Sequence, residues 1–127
     1  MTEAVLDASA LLAFLRNEPG ADKVAAVLSR SCISAVNLAE TISKMVEYGK
    51  PLDAVAFQIE RLQIPVIAFD AEQAKILASL WKATRVAGLS LADRACLGLG
   101  LKRQLPVLTT DRDWLKVDVG VKVELIR

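Results

Sequence analysis

The chain alternates short apolar runs with longer stretches in which apolar residues recur every three or four positions. The short runs over residues 3–6, 32–34, 65–69, 106–109 and 121–126 read as strands. The stretches over residues 9–16, 21–29, 36–48, 52–62, 70–85 and 90–103 read as helices. Val24, Val27 and Leu28 keep helical spacing in the second of these; Leu38, Ile42, Met45 and Val46 are expected to face inward in the third. Pro19-Gly20 stops the first helix, Gly49 and Pro51 stop the third, and Asp70 stands where it caps the helix after it. Strands alternating with helices predict an α/β fold, with a central, mostly parallel β-sheet flanked by helices on both faces. Neither a linker nor an internal repeat interrupts the 127 residues, so a single domain over 1–127 is expected. In such sheets the functional crevice lies outside the carboxyl ends of the strands.

Four carboxylates occupy positions that such a crevice uses. Asp7 follows the first strand in Val5-Leu6-Asp7-Ala8-Ser9. Glu40 closes Asn37-Leu38-Ala39-Glu40. Asp93 lies in the first turn of a helix in Ser90-Leu91-Ala92-Asp93, and Asp111 follows a strand in Thr109-Thr110-Asp111-Arg112-Asp113. Each also has an ordinary structural reading. Asp7 and Asp111 are placed to cap the segments after them, and Ser90-x-x-Asp93 has the spacing of a capping box. Glu40 is one helical turn from Lys44 and within reach of an ion pair. Asp113 is a fifth acid whose role the sequence does not separate from that of Asp111. Ser9 and Thr109 each stand two residues from an Asp, a spacing that in extended backbone puts both side chains on one face. Their hydroxyls are candidates to orient a carboxylate or a bound water, against ordinary turn chemistry.

Composition narrows the chemistry. The chain has no His and two distant cysteines, Cys32 and Cys96. A Ser-His-Asp relay and a soft-ligand zinc site are therefore excluded. There is no phosphate-binding glycine loop, and Asp7-Ala8-Ser9 lacks a second Asp for phosphotransfer. If the acids act together, they suit a hard divalent cation. The two thiols read as buried and reduced, the N-terminus does not look like a signal peptide, and no apolar run approaches a membrane span; a cytoplasmic protein with no membrane partner is expected. A net charge of +1 argues neither for nor against nucleic acid, and 5% aromatic content argues against a base-stacking platform. An apolar fraction of 54% and a mean hydropathy of +0.38 leave apolar surface for a partner. Gly98 and Gly100 interrupt the helix of Asp93, each at a propensity cost of ~1 kcal/mol.

Together and in this order, the four acidic blocks resemble the motif blocks of PIN-domain ribonucleases, most closely the VapC toxins of type II toxin–antitoxin modules. The resemblance spans essentially the whole chain. It implies a PIN-like three-layer fold and a catalytic acidic site of Asp7, Glu40, Asp93 and Asp111 holding Mg²⁺ or Mn²⁺, with Ser9, Thr109 and Asp113 in support. The implied activity is hydrolysis of RNA by water, leaving 5′-phosphate and 3′-hydroxyl ends. The implied partners are the RNA substrate, a VapB-like antitoxin and a second copy in a homodimer, with residues 11–15 and 24–28 as walls of the antitoxin groove. Arg16, Arg94, Arg112 and Lys116 are candidate phosphate contacts, though each also reads as part of a solvated face. A PIN nuclease of RNA processing shares every motif, a non-catalytic PIN-fold binding module remains open, and a receiver-like phosphoacceptor is the most distant alternative.

Overall fold

The computed structural model describes residues 1–127. Its strands are β1 (Ala4–Leu6), β2 (Ser31–Ser34), β3 (Val66–Ile67), β4 (Val107–Thr109) and β5 (Val123–Leu125). Its helices are α1 (Ala8–Leu15), α2 (Ala21–Val27), α3 (Ala35–Glu47), α4 (Leu52–Glu60), α5 (Ala71–Ser79), α6 (Trp81–Thr84) and α7 (Leu91–Arg103). The five strands form one sheet in the order β3-β2-β1-β4-β5, and every pairing is parallel. Strands β1, β2 and β4 are buried along their whole length, as parallel strands covered on both faces must be. Alternate residues of β1 feed two cores. Ala4 and Leu6 pack with Ala10, Leu11, Ala13 and Val24 of α1 and α2, while Val5 packs with Leu80, Leu97, Leu99 and Trp114 on the opposite face. A small third cluster joins Met45 of α3 to Val55 and Ile59 of α4.

This topology positions the crevice. Strands β1, β2 and β3 step one way across the sheet and β4 and β5 step the other, so the order reverses between the neighbours β1 and β4. Asp7 follows β1 and Asp111 lies just beyond β4, at the carboxyl ends flanking that reversal.

Three local expectations need correction. The stretch 70–85 is not one helix. It breaks at Leu80, whose N–H bonds back to Leu77 in a tighter turn while its side chain enters the core, and the Thr84 hydroxyl donates to the Leu80 carbonyl at 2.7 Å. Val46 does not face inward: it is exposed, and Met45 takes the buried position on that turn. The two edge strands are shorter than their apolar runs, because edge residues such as Val66 lack cover on one side.

The two glycines of α7 make close contacts. A Cβ on Gly98 would stand 3.2 Å from Ile76 Cγ2 of α5. On Gly100 it would stand 2.7 Å from Val107 Cγ1 of β4 and 3.1 Å from the Leu105 carbonyl oxygen. The fully buried Val107 side chain and a backbone oxygen cannot yield as the partly exposed Ile76 side chain can. Gly100→Ala is therefore expected to lower stability by about 1–2 kcal/mol, overpacking outweighing the helix-propensity gain. Gly98→Ala should stay within about 1 kcal/mol of the parent. Urea midpoints for the two variants check this; equal midpoints would contradict it.

Candidate active site

Asp7 ends β1 and caps α1. Its Oδ1 accepts from the Ala10 N–H at 2.8 Å and from the Ser9 hydroxyl at 2.7 Å, and its Oδ2 accepts from the Thr109 hydroxyl at 2.5 Å. The carboxylate is 5% exposed. Burial is the largest influence on it and raises its pKa from 3.8 to about 6; the three hydrogen bonds oppose the rise, and the nearby Asp93 charge adds to it. The hydroxyls that hold Asp7 also join the ends of two strands. Ser9 Oγ accepts from the Thr110 N–H at 2.9 Å, and Thr109 Oγ1 accepts from the Asp111 N–H at 3.1 Å. Thr109 thus performs its turn chemistry and orients Asp7 as well. Ser9 reaches Asp7 from the first turn of α1 rather than along an extended segment.

Asp93 forms the capping box that its spacing predicts. The Ser90 N–H donates to Asp93 Oδ2 at 2.9 Å, and the Asp93 N–H donates to Ser90 Oγ at 3.1 Å. Its pKa is raised, first by burial and last by the Asp111 charge, against hydrogen bonding of the carboxylate to the Ser90 N–H and hydroxyl. Glu40 is half-buried in the second turn of α3. Burial raises its pKa, Asp93 adds to the rise, and Asn37 and Lys44 oppose it. The expected ion pair with Lys44 does not form: Lys44 Nζ lies 3.5 Å from Glu47 Oε2 instead. Asp111 caps the 3₁₀ turn Arg112–Lys116 by accepting from the Asp113 N–H at 2.9 Å.

Asp7, Glu40, Asp93 and Asp111 line one cleft of about 350 Å³, together with Ser9 and Lys44. Four chain segments, remote in sequence, deliver one carboxylate each. Asp113 is outside the lining; its Oδ1 pairs with Lys116 Nζ at 2.8 Å, which separates it from Asp111. None of Arg16, Arg94, Arg112 and Lys116 lines the cleft. The cleft's cation is Lys44, which sequence reasoning considered only as a partner for Glu40. Asn37 was also without a role: its Nδ2 donates to the Ala92 carbonyl at 3.0 Å, tying the start of α3 to the start of α7. Its three-residue spacing from Glu40 was the available signal.

No three of these acids converge closely enough to ligate a single ion directly. An oxygen-only donor set in which the Asp93 charge raises the pKa of Asp7 and Glu40, and the Asp111 charge that of Asp93, nevertheless fits a hard cation that keeps much of its water. Mg²⁺ commonly binds through one or two carboxylates and several waters rather than in a closed protein cage.

The sequence model of the family described as PIN domain matches residues 4–120. The chain belongs to the PIN domain family. Solved structures share its fold. The DNA-bound VapBC of Salmonella typhimurium aligns at TM-score 0.78 and 20% identity, covering 100% of both chains. VapBC2 of Rickettsia felis, bound to a fragment of promoter DNA, aligns at 0.72 and 14% identity over 98% of each chain. VapBC-5 of Mycobacterium tuberculosis, a member of the VapBC family of toxin–antitoxin systems, aligns at 0.61 and 24% identity over 100% of this chain and 99% of that one. No curated protein matches this PIN domain in sequence. No helix is long and apolar enough to cross a membrane, and both cysteines are buried and free.

Proposed function

We propose that this PIN domain is a metal-dependent endoribonuclease and the toxin of a VapBC-like pair, silenced by a VapB-like antitoxin. The observation that carries the reading is the convergence of four carboxylates from four separate segments in one cleft. Its fold likeness to VapBC structures supports the toxin role. Asp7 and Asp93 are the proposed principal metal ligands, with Glu40 and Asp111 completing the acidic site. Mg²⁺ or Mn²⁺, when bound, would supply an acidified water and neutralise charge on the scissile phosphate. Ser9 and Thr109 fix the rotamer of Asp7, so that its carboxylate needs no reorganisation when charge develops. With no His in the chain, the fitting protein-borne base is one of the cleft's carboxylates. Glu40 fits best: it is raised in pKa and, unlike Asp7, Asp93 and Asp111, caps no helix. Water attack then leaves 5′-phosphate and 3′-hydroxyl ends.

The purified protein is expected to cleave single-stranded RNA in Mg²⁺ or Mn²⁺, to stop in EDTA, and to resume when the metal is restored. Full activity in protein verified metal-free would overturn the mechanism; intact RNA with either metal would overturn the nuclease reading. Light scattering tests the partners. A homodimer alone and a larger assembly with the small protein encoded beside it are expected. A strict monomer indifferent to that protein would favour a nuclease of RNA processing.

A further inference from the structure

We infer that the seam between α1 and α3, leading out of the acidic cleft, holds the flanking segment of a single-stranded RNA, with Lys44 and Lys50 at phosphates and the Tyr48 ring against one base. The inference rests on the nuclease reading of the cleft. A second cavity, of about 300 Å³, is lined by Leu15, Arg16, Met45, Tyr48 and Lys50. It lies about one helical turn further along α1 and α3 than the first. On α1, Leu12 borders the acidic cleft while Leu15 and Arg16, one turn later, border the second cavity. On α3, Glu40 and Lys44 border the cleft, and Met45 and Tyr48 border the second cavity. Glu40, Lys44 and Tyr48 are four residues apart and share one face, each step advancing ~6 Å, a length suited to one nucleotide of an extended strand.

The chemistry changes along this path. The cleft is acidic, but no carboxylate lines the second cavity, whose charged residues are Arg16 and Lys50. Arg16 is 3.3 Å from Glu18, a partly exposed pair, and Lys44 is 3.5 Å from Glu47, an exposed one; a phosphate can displace such surface pairs at little cost. Lys50 makes no ion pair. The Arg16 guanidinium covers the Tyr48 ring 3.9 Å from its centroid, yet Tyr48 stays 48% exposed. A ring steadied from one side and open elsewhere suits an unstacked base, and the guanidinium plane offers a further stacking surface. Tyr48 is the one aromatic residue lining either cavity, so the path stacks one base rather than offering a platform. An open base of this kind belongs to a single strand, because a duplex keeps its bases stacked inside.

The test is fluorescence anisotropy with 5′-labelled single-stranded RNA, a decamer and a dinucleotide, in an Asp7→Asn background with Mg²⁺, where cleavage is not expected. Tyr48→Ala should weaken decamer binding about 5- to 150-fold, the range of one lost base–aromatic stack, and Tyr48→Phe should restore it. Lys50→Ala should weaken it too and reduce the slope of log affinity against log salt by about 0.7, one phosphate contact on a single strand. The loss should be at least several-fold smaller for the dinucleotide, which at ~6 Å per nucleotide covers the cleft positions Glu40 and Lys44 without reaching Tyr48. Unchanged decamer affinity in Tyr48→Ala and Lys50→Ala overturns the inference. So does equal weakening for dinucleotide and decamer, equal binding of a duplex, or displacement of the RNA by poly-glutamate as efficient as by unlabelled RNA, which would assign the seam to an acidic protein. The two readings fail separately. RNA cleavage by the parent with Tyr48-independent binding removes the path and keeps the nuclease. Tyr48-dependent binding without cleavage by the parent does the reverse.

Discussion

Asp7→Asn is expected to abolish RNA cleavage and, in the same protein without metal, to raise thermal stability at neutral pH. The loss of activity should be on the order of 10²–10³-fold or more, the scale of removing one group that stabilises developing charge. The gain in stability follows from burial. Folding raises the Asp7 pKa from 3.8 to about 6. Between those values the folded chain binds more protons than the unfolded chain. Stability therefore falls as pH rises through the window, and the full penalty stands above it. A shift of that size corresponds to at most about 3 kcal/mol. Asn keeps the side-chain oxygen that accepts from the Ala10 N–H, and it is itself a good cap. It cannot accept from the Thr109 hydroxyl through its amide nitrogen, so part of the gain is lost. The melting temperature of the variant should exceed that of the metal-free parent by several degrees at pH 7.5, and by much less at pH 4.5. A variant less stable than the parent at both pH values would mean that Asp7 serves chiefly as a cap. Retained cleavage would remove it from the catalytic site.

How far the sequence could be read depended on whether the determining contacts were local. Asp7, Asp93 and Asp111 stand beside strand ends or in a first helical turn, and their caps involve neighbours within three residues; these were legible. The parallel α/β architecture was legible too, because strands buried on both faces read as unbroken apolar runs. The contacts that assemble the site are not local. Thr109 reaches Asp7 across 102 positions, and Asn37 reaches Ala92 across 55. Lys44 had two acids within one turn, Glu40 and Glu47, and helical spacing alone does not choose between them. The break at Leu80 carries no Gly or Pro; it arises because the chain turns tightly there to bury Leu80 against α7. Gly100 reads as a weak point in a helix until β4 is seen against it.

Asp93→Asn and Ser90→Ala should separate two functions that the start of α7 combines. The capping box uses the Asp93 side chain as an acceptor for the Ser90 N–H and the Ser90 hydroxyl as an acceptor for the Asp93 N–H. The proposed metal site needs only the charge of Asp93. Asn at position 93 retains an acceptor oxygen, so the fold should persist while cleavage drops as steeply as in Asp7→Asn. Ala at position 90 removes the hydroxyl and leaves the charge. It should lower stability by about 1 kcal/mol, the usual loss on deleting a Ser cap, with activity retained well below the melting temperature. It should also move the acid limb of the pH–rate profile. Hydrogen bonding of the Asp93 carboxylate to the Ser90 N–H and hydroxyl holds its pKa down against burial, so losing the hydroxyl lets it rise. Activity in Ser90→Ala should then fall away at a higher pH than in the parent. Thermal melts and cleavage rates across pH 5–8 for both variants decide the matter. If Asp93→Asn unfolds and Ser90→Ala loses activity in proportion to stability, Asp93 is a cap and nothing more. If Asp93→Asn folds and is inert while Ser90→Ala folds less well and still cleaves, the first turn of α7 serves the helix through its shape and the reaction through its charge.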